Sequence, residues 1–149
     1  MIDFDKITIN QMVLSDLEEI KDILFSDFDN LWNYEIFKEE LANNNSSYLV
    51  LRYDNKIVCY GGIKIVIDEA DVMDIVTKKD MRGNGFARIL LNDLINLARK
   101  KKCTKVNLEV NSNNTNALHL YETIRFKQVG LRKKYYNNTD DAILMTLEL

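Results

Sequence analysis

Two glycines separated by a single residue, Gly83 and Gly85, stand directly before an apolar run with helical spacing in the segment RGNGFARILL. Small residues at such a turn let backbone N–H groups approach an anion closely, and the helix dipole adds positive charge at the same point. The amides from Gly83 to Arg88 are therefore expected to converge on one spot that suits a pyrophosphate group. A plain glycine-rich turn between a strand and a helix fits the same letters, so spacing alone leaves both interpretations open.

Two familiar phosphate-binding motifs are excluded by the spacing. A P-loop requires GxxxxGK[ST], and no Lys-Ser or Lys-Thr pair follows these glycines. A dinucleotide fingerprint requires Gly or Ala where Arg88 stands, and an acidic residue about twenty positions later, where Cys103 or a basic neighbour stands. What remains is the pattern R-x-x-G-x-A, formed by Arg82, Gly85 and Ala87 between a predicted strand and a predicted helix.

The surrounding strands indicate how this loop is held. Alternating or continuous apolar runs predict strands in the segments KITIN, SYLVLRY, KIVCYGGIKIVI, DVMDIV, KVNLEVN, FKQVGLRK and AILMTLEL. The pair Gly61-Gly62 predicts a bulge or bend in the third of them. Their order predicts an α/β fold (α+β mixed sheet), with a β-meander, a central βαβ unit and a closing hairpin forming a central mixed sheet flanked by helices.

Four helices are predicted between these strands. The first is expected to begin at Ser15, because Ser15 and Glu18 have the spacing of a capping box. The second follows Asn33. The third begins at Phe86 and carries apolar residues at helical intervals on one face, and one of the asparagines at 113–114 is expected to cap the fourth.

Composition and charge limit the possible classes of function. The chain of 149 residues is expected to form a single domain, residues 1–149, and its net charge of -3 gives no overall basic field for nucleic acid. No secretory signal and no apolar run near the roughly 18 residues of a membrane span are found. Cys59 and Cys103 lie far apart without a CxxC motif, which indicates reduced structural thiols in a cytoplasmic protein. One histidine excludes a His-rich metal site.

The R-x-x-G-x-A pattern resembles the acetyl-CoA loop of the GNAT acyltransferases, and the remaining motifs follow in that family's order. Trp32 and Phe37 form W-x-x-x-x-F, and LEVNSNNTNALHLYETIRF is similar to L-E-V-x-x-x-N-x-x-A-x-x-L-Y-x-x-x-G-F. The ending GLRKKYYNNTDDAILMTLEL resembles that of the RimI-type ribosomal-protein-alanine N-acetyltransferases, which acetylate a protein's N-terminal amine. The resemblance covers nearly the whole chain. It implies the GNAT acyl-CoA N-acyltransferase fold, with acetyl-CoA as acetyl donor and no metal.

Three positions depart from the family pattern. Lys79 stands where a proline is usual and is expected to loosen the turn after the cofactor strand. Arg125 stands where a glycine is usual, so a non-glycine residue must end the last helix, with a positive φ as the expected conformation. Asn33 replaces a serine, and either residue caps a helix.

The chemistry that the resemblance implies needs a neutral amine, a stabilised oxyanion and a proton for the departing thiolate. At pH 7, deprotonating a lysine side chain costs about 4.6 kcal/mol, whereas an α-amine costs only about 1 kcal/mol. A modest base, acting directly or through water, therefore suffices for an N-terminal substrate. The resemblance makes Glu109 this base and Tyr121 the acid. Taken alone, Glu109 fits a solvated carboxylate on a strand, and Tyr121 fits a core position of a helix.

The resemblance also implies the binding residues. The donor site is expected to use Ile75, Val76, Thr77, Arg82, Gly83, Asn84, Gly85, Phe86, Ala87, Arg88 and Asn114. The Val76 amide is a candidate oxyanion donor, and helix capping would equally explain Asn114. Tyr135, Tyr136 and Trp32 are the expected acceptor-binding residues, although packing of aromatic rings at a loop would explain the two tyrosines.

Acidic side chains are concentrated in two stretches of the chain. Such runs are usually solvated faces, but near an acceptor cleft they would favour a basic peptide. The two groups are Asp27, Asp29, Glu35, Glu39 and Glu40, and Asp68, Glu69, Asp71 and Asp74.

The sequence therefore favours an acetyl-CoA-dependent N-α-acetyltransferase acting on a protein N-terminus, with the N-terminal alanine of ribosomal protein S18 as the expected acceptor. Direct transfer in a ternary complex is expected, because Cys59 and Cys103 both lie in or beside strands. Two alternatives stay open: a GNAT that acetylates a small amine such as a polyamine or a drug, and a non-catalytic CoA-binding module. The sequence carries no signal for an oligomeric state.

Overall fold

A computed structural model describes residues 2–30 and 32–149. The strands and helices follow in the order β1 (Ile7–Gln11), α1 (Leu14–Ile20), α2 (Tyr34–Leu41), β2 (Ser46–Tyr53), β3 (Lys56–Val66), β4 (Glu69–Thr77), α3 (Phe86–Lys100), β5 (Lys105–Asn111), α4 (Thr115–Thr123), β6 (Lys127–Tyr136) and β7 (Asp140–Glu148). The strands form one mixed sheet in the order β1-β2-β3-β4-β5-β7-β6. Neighbours are antiparallel except for β4 and β5, which are parallel and joined by α3. The predicted fold class is confirmed.

The helices cover the sheet with three apolar clusters among the described residues, the smallest of which joins β2 and β3 to the start of α3. Helices α1 and α2 pack with β2 and β3 around Phe28, Phe37 and Tyr60. Helix α3 packs around Leu91 and Leu94, together with residues of β5 and α4. The buried positions of α3 recur at the helical spacing that its sequence predicts. Within the described ranges, no helix has the combination of length and apolar character needed to cross a membrane.

Helix α1 begins earlier than the sequence predicts. Its N-cap is Val13, and the carboxylate of Asp16 accepts a hydrogen bond from the Val13 N–H at 2.9 Å. The expected Ser15 and Glu18 box is therefore wrong. Asp16 satisfies one donor at the helix start and places negative charge at the positive end of the helix dipole, which Ser15 cannot do from within the helix.

A bulge interrupts the pairing of β3 with β4 at the predicted place. Gly62 pairs with Asp74, but the next residue, Ile63, pairs with Val72, so Met73 is an extra residue on β4. The glycine pair thus marks the site, while the extra residue belongs to the partner strand. Because side chains alternate along a strand, an extra residue reverses which face the following side chains occupy.

Strands β4 and β5 separate soon after they meet. Their parallel pairing covers only 69–71 with 105–107. At the last of these pairs, the Asn107 amide donates to Glu69 at 2.8 Å and to Asp71 at 3.1 Å, and the Thr146 hydroxyl donates to the Asn107 oxygen at 2.7 Å. These bonds hold the two strands together at the point beyond which a gap opens between them.

Helix α4 ends in a Schellman motif that fixes Tyr121. Arg125 has a φ of 85°, its N–H donates to the Glu122 carbonyl at 2.9 Å, and the Phe126 N–H donates to the Tyr121 carbonyl at 3.0 Å. The rings of Tyr121 and Phe126 meet at 5.9 Å, which is the apolar contact typical of this motif. The predicted positive φ at Arg125 is confirmed.

We expect Arg125→Gly to stabilise the protein by about 0.5–1 kcal/mol. A left-handed conformation costs a non-glycine residue roughly 1–2 kcal/mol, and part of that gain is lost to the greater freedom of glycine in the unfolded chain. Thermal unfolding should show a rise of about 2–3 °C. Arg125→Ala removes the same side chain but keeps Cβ, so a comparable gain in that variant would contradict the explanation.

Candidate active site

The loop before α3 is built to receive an anion. Gly83 and Gly85 have φ angles of 81° and 84°, in the left-handed region that favours glycine, and Gly85 is the N-cap of α3. Within the described part of the chain, no backbone carbonyl or side chain accepts a hydrogen bond from the amides of residues 83–88. A Cβ at either glycine would meet open space. Unpaired amides at the positive end of a helix are the arrangement that binds phosphate groups.

A cavity of about 740 Å³ extends from this loop to the gap between β4 and β5. Its volume lies in the range of small-molecule sites. Of the predicted donor-site residues, all except Asn84 line it; the Asn84 side chain instead donates to the Met81 carbonyl at 2.9 Å. Lining residues that sequence analysis did not identify are Phe28, Asp29, Met81, Asn116, Ala117 and Leu120.

Asp29 ties the loop between α1 and α2 to this cavity. Its carboxylate pairs with Arg82 at 3.1 Å and with Lys79 at 2.9 Å, and the Arg82 Nε donates to the Thr77 carbonyl at 3.1 Å. The Lys79 N–H, which a proline would lack, donates to the Asp27 carbonyl at 2.8 Å. Lys79 thus makes two attachments that a proline could not make, and the expected loosening of this turn stays a prediction.

A second cavity, of about 270 Å³, occupies the gap between β4 and β5. It is lined by Glu109 and Asp74 from the two separating strands, and by Tyr136 at the end of β6. The two cavities share Ile75, Asn114 and Tyr121 in their linings. A donor in the larger cavity and an acceptor in the smaller one would therefore meet beside Tyr121.

Glu109 projects from the polar face of β5, whose other face is buried in the core. Its side chain is 35% exposed, and its carboxylate lies 3.3 Å from the guanidinium of Arg132 on β6. It is thus neither fully solvated nor buried, and it lines the smaller cavity from the side opposite β4. A carboxylate there can accept a proton from a group that enters the gap.

Tyr121 both packs against the core and faces the cleft. Its ring contacts the core cluster that includes Ala117 and Ile124, while it lines both cavities. Burial raises the pKa of the Tyr121 phenol, and the nearby charges of Asp74 and Tyr136 raise it further. The phenol is therefore held in the protonated form that a proton donor requires. Asn114 caps α4, since its side-chain oxygen accepts from the Ala117 N–H at 3.2 Å.

Of the predicted acceptor-binding residues, Tyr136 lines the smaller of these two described cavities. Tyr135 is 53% exposed next to it, with the Arg132 guanidinium 5.4 Å from its ring. Trp32 packs edge-on against Phe37 at 5.7 Å, and among the described residues it lies outside the linings of both cavities. The structure thus brings the hairpin tyrosine to the site and leaves Trp32 in the α1–α2 core.

Asp74 is the member of the second acidic stretch that lines the smaller cavity, beside Glu109. Burial raises the pKa of its carboxyl group to about 6. Among residues 2–30 and 32–149, no cation forms an ion pair with it. The face of the sheet on which Asp74 lies cannot be predicted from the sequence, because the bulge at Met73 breaks the alternation of side chains along β4 one residue earlier.

We expect Asp74→Asn to raise the free energy of unfolding at pH 8 by about 3 kcal/mol. The folded-state pKa is raised from 3.8 to about 6, so the folded protein holds the proton more tightly and loses stability as pH rises between these values. The gain should shrink to about 1 kcal/mol at pH 4.5. Denaturant unfolding at both pH values tests this, with the exposed Asp68→Asn as control; equal gains at both pH values would contradict it.

Comparison with known proteins assigns the family. The acetyltransferase (GNAT) family model matches residues 17–126. The ribosomal protein bS18-alanine N-acetyltransferase of Escherichia coli strain K12 is 32% identical over 123 residues, which cover 79% of this chain and 81% of that protein. The protein of the same name from Haemophilus ducreyi is 30% identical over 115 residues, covering 73% of this chain and 79% of that protein.

Solved structures agree with this assignment. The crystal structure of the ribosomal-protein-S18-alanine N-acetyltransferase from Escherichia coli has a TM-score of 0.86 at 27% identity, covering 95% of this chain and 93% of that one. A GNAT family acetyltransferase from Elizabethkingia anophelis, solved with acetyl-CoA bound, has the same fold, with a TM-score of 0.78 at 22% identity over 97% and 99% of the two chains. With the family model matching most of its length and the resemblance of its motifs confirmed, this chain belongs to the GNAT acetyltransferase family.

Proposed function

We propose that this protein is an acetyl-CoA-dependent N-α-acetyltransferase whose acceptor is the N-terminal amine of a protein. The N-terminal alanine of ribosomal protein bS18 is the acceptor we assign, because relatives that align over most of the chain carry that activity in their names. Transfer is direct, with both substrates bound at once. The observation that carries the proposal is the meeting of two cavities at Tyr121, one lined by unpaired loop amides and the other by Glu109.

The donor side fits acetyl-CoA, which supplies an activated acetyl group as a thioester. The amides of residues 83–88 and the guanidinium of Arg82 would hold its diphosphate, in space that a Cβ at either glycine would occupy. Strand β4 loses its neighbour β5 beyond Asp71, which leaves backbone groups of Ile75 and Thr77 for the pantetheine arm. The Val76 amide faces β3 instead, because the Lys78 N–H donates to the Val58 carbonyl at 2.8 Å and bonded pairs alternate along an antiparallel ladder, so the expected oxyanion donor at Val76 is wrong.

The acceptor side supplies the proton transfers. An α-ammonium group needs only about 1 kcal/mol to lose a proton at pH 7, so a carboxylate base is sufficient. Glu109 takes a proton from the acceptor nitrogen, directly or through water. Tyr121, kept protonated by burial, gives a proton to the departing thiolate. Both residues line one small cavity, which supports the proposal that the two groups act on the same reacting atoms.

Direct transfer predicts that no cysteine is needed. Cys59 is buried in β3, and burial raises the pKa of its thiol to about 12, so it stays protonated and is a poor nucleophile. Cys103 is also a buried free thiol. We expect the double variant Cys59→Ala with Cys103→Ala to keep kcat within about threefold of wild type, at a cost in thermal stability from the lost packing. Loss of turnover in a folded double variant would instead indicate an acyl-cysteine route.

The acceptor is tested by offering the purified protein acetyl-CoA with a peptide that begins Ala-Arg, beside a panel of polyamines and aminoglycoside-type amines. Tandem mass spectrometry should locate one added acetyl group on the peptide's α-nitrogen. The same peptide with a blocked N-terminus and a free internal lysine is the matched control and should stay unmodified. Faster acetylation of a small amine than of the peptide would overturn the assignment.

A further inference from the structure

We propose that Asp74 is a second carboxylate of the acceptor site, which binds the incoming ammonium group and takes its first proton. This inference rests on the proposed function and deepens it, because it assigns a step to a residue that no motif of the family marks. Asp74 and Glu109 line the same small cavity from the two strands that separate around it. An amine entering the gap would therefore lie between two carboxylates.

The bulge in β4 sets the position of Asp74. It follows the extra residue Met73 and pairs with Gly62 on β3. The ring of Tyr48 lies against Gly62, so closely that a Cβ there would be 2.6 Å from it. Asp74 is therefore held beside a buried aromatic ring, at the inner end of the gap, rather than in bulk solvent.

The groups around Asp74 compensate its charge only in part, because the Ile75 backbone N–H lowers the pKa of the carboxyl group but no described cation pairs with it. Tyr48 and Tyr60 from β2 and β3, and Tyr121 from α4, are the titratable groups whose pKa its charge raises. The Tyr48 hydroxyl is buried and, within the described residues, has no hydrogen-bond partner. Glu109 lines the same cavity from β5, so the charged residue that shares this lining with Asp74 is another acid. A buried carboxylate is normally paired, and a cation in the gap would pair this one.

The cation beside Glu109 is engaged away from Asp74. Arg132 lies 3.3 Å from Glu109 and stacks on Tyr135. An ammonium group arriving at Glu109 must therefore compete with a guanidinium, whereas at Asp74 no described cation competes with it. The ammonium of an acceptor is the partner that this arrangement lacks.

The number of protons that the ammonium group loses supports two proton-accepting side chains in the site. An ammonium nitrogen loses two protons when it becomes an amide, and only one of them is returned to the thiolate. In the step assigned to Asp74, one N–H bond of the ammonium breaks, one O–H bond forms on the carboxylate, and the freed electron pair on nitrogen attacks the thioester. Glu109 then takes the second proton. With a carboxyl pKa of about 6, the equilibrium constant for proton transfer from an α-ammonium to Asp74 is unfavourable by about 50-fold. For an ordinary aspartate the same equilibrium constant is unfavourable by nearly 10⁴-fold.

The test compares wild type, Asp74→Asn and Asp68→Asn by steady-state kinetics with the Ala-Arg peptide between pH 5 and pH 9. Asp68 is exposed and outside both cavities, so its variant removes the same charge without touching the site. We expect kcat/KM of Asp74→Asn for the peptide to be at least tenfold below wild type at pH 7.5. The KM for acetyl-CoA should stay within twofold, and Asp68→Asn should match wild type.

The pH dependence separates this role from a structural one. Below pH 6 the wild-type carboxyl group becomes protonated, so the deficit of Asp74→Asn should shrink towards unity by pH 5. The inference would be overturned if the deficit in kcat/KM were the same at every pH. It would also be overturned if wild type acetylated the peptide and Asp74→Asn did so equally well. Absence of wild-type turnover on the peptide would instead overturn the proposed function, and this inference with it. Asp74→Ser, assayed in the same way, must reproduce the loss.

Discussion

Replacing Glu109 by glutamine should lower kcat for the peptide by about 10²–10⁴-fold, the usual contribution of a positioned general base. Glutamine keeps the size of the side chain and an oxygen that can accept from Arg132, which lies 3.3 Å from Glu109 in the structure. It cannot take a proton from the acceptor nitrogen. The effect should therefore fall on kcat, while acetyl-CoA binding and thermal unfolding stay close to wild type. Steady-state kinetics and calorimetry measure the two separately.

The matched control for this variant is Glu148→Gln, which makes the same chemical change at an exposed position at the end of β7. It should have wild-type kinetics. Tyr121→Phe removes the proposed acid and should also lower kcat without loss of acetyl-CoA binding. If Glu109→Gln retained more than half of wild-type kcat, Glu109 would not be the base. If the wild-type protein bound acetyl-CoA tightly but acetylated nothing, the alternative of a non-catalytic CoA-binding module would be favoured.

The second large effect is expected in the loop before α3. The double variant Gly83→Ala with Gly85→Ala should weaken acetyl-CoA binding by about 100-fold or more. Each alanine disfavours the left-handed conformation by roughly 1–2 kcal/mol, so the loop relaxes and binding must restore it. Each added Cβ also enters the open space in which the diphosphate is proposed to lie. Isothermal titration calorimetry with acetyl-CoA measures the loss directly.

Asn84 provides the control for that experiment. It lies between the two glycines, and its side chain turns back to the Met81 carbonyl instead of lining the cavity. We expect Asn84→Ala to change acetyl-CoA affinity by less than about threefold, because only backbone groups of this residue are assigned to the site. Equal losses in Asn84→Ala and in the double variant would show that general disorder of the loop, rather than the glycine geometry, causes the effect.

The parts of the fold that depend on local patterns are predictable from the sequence. Helix α3 follows from its apolar spacing, the left-handed end of α4 at Arg125 from the missing glycine, and the anion loop from Gly83 and Gly85. Each of these signals lies within one turn or one helix. The start of α1 differs from the prediction because two acids, Asp16 and Glu18, compete as capping residues within four positions, and spacing does not decide between them.

Features that join distant parts of the chain could not be predicted in this way. Arg82 pairs with Asp29, 53 residues away, and only the fold brings the two together. Lys79 pairs with the same carboxylate, a contact that a proline could not make. Asp74 was indistinguishable from its acidic neighbours, because its place in the cleft depends on the bulge at Met73 and on the separation of β4 from β5. The bonds of Asn107 hold the two strands together up to the point where they separate.

The central claim is that the amides at the start of α3 hold the diphosphate of acetyl-CoA, so that its thioester reaches the gap between β4 and β5. A ¹H–¹⁵N NMR titration tests it directly, with acetyl-CoA compared against S-acetylpantetheine, which lacks the diphosphate. We predict that acetyl-CoA produces its largest shifts at the amides of Gly83 to Arg88, and that S-acetylpantetheine leaves those amides unchanged. Loop amides that do not shift in the acetyl-CoA-saturated protein would contradict the account.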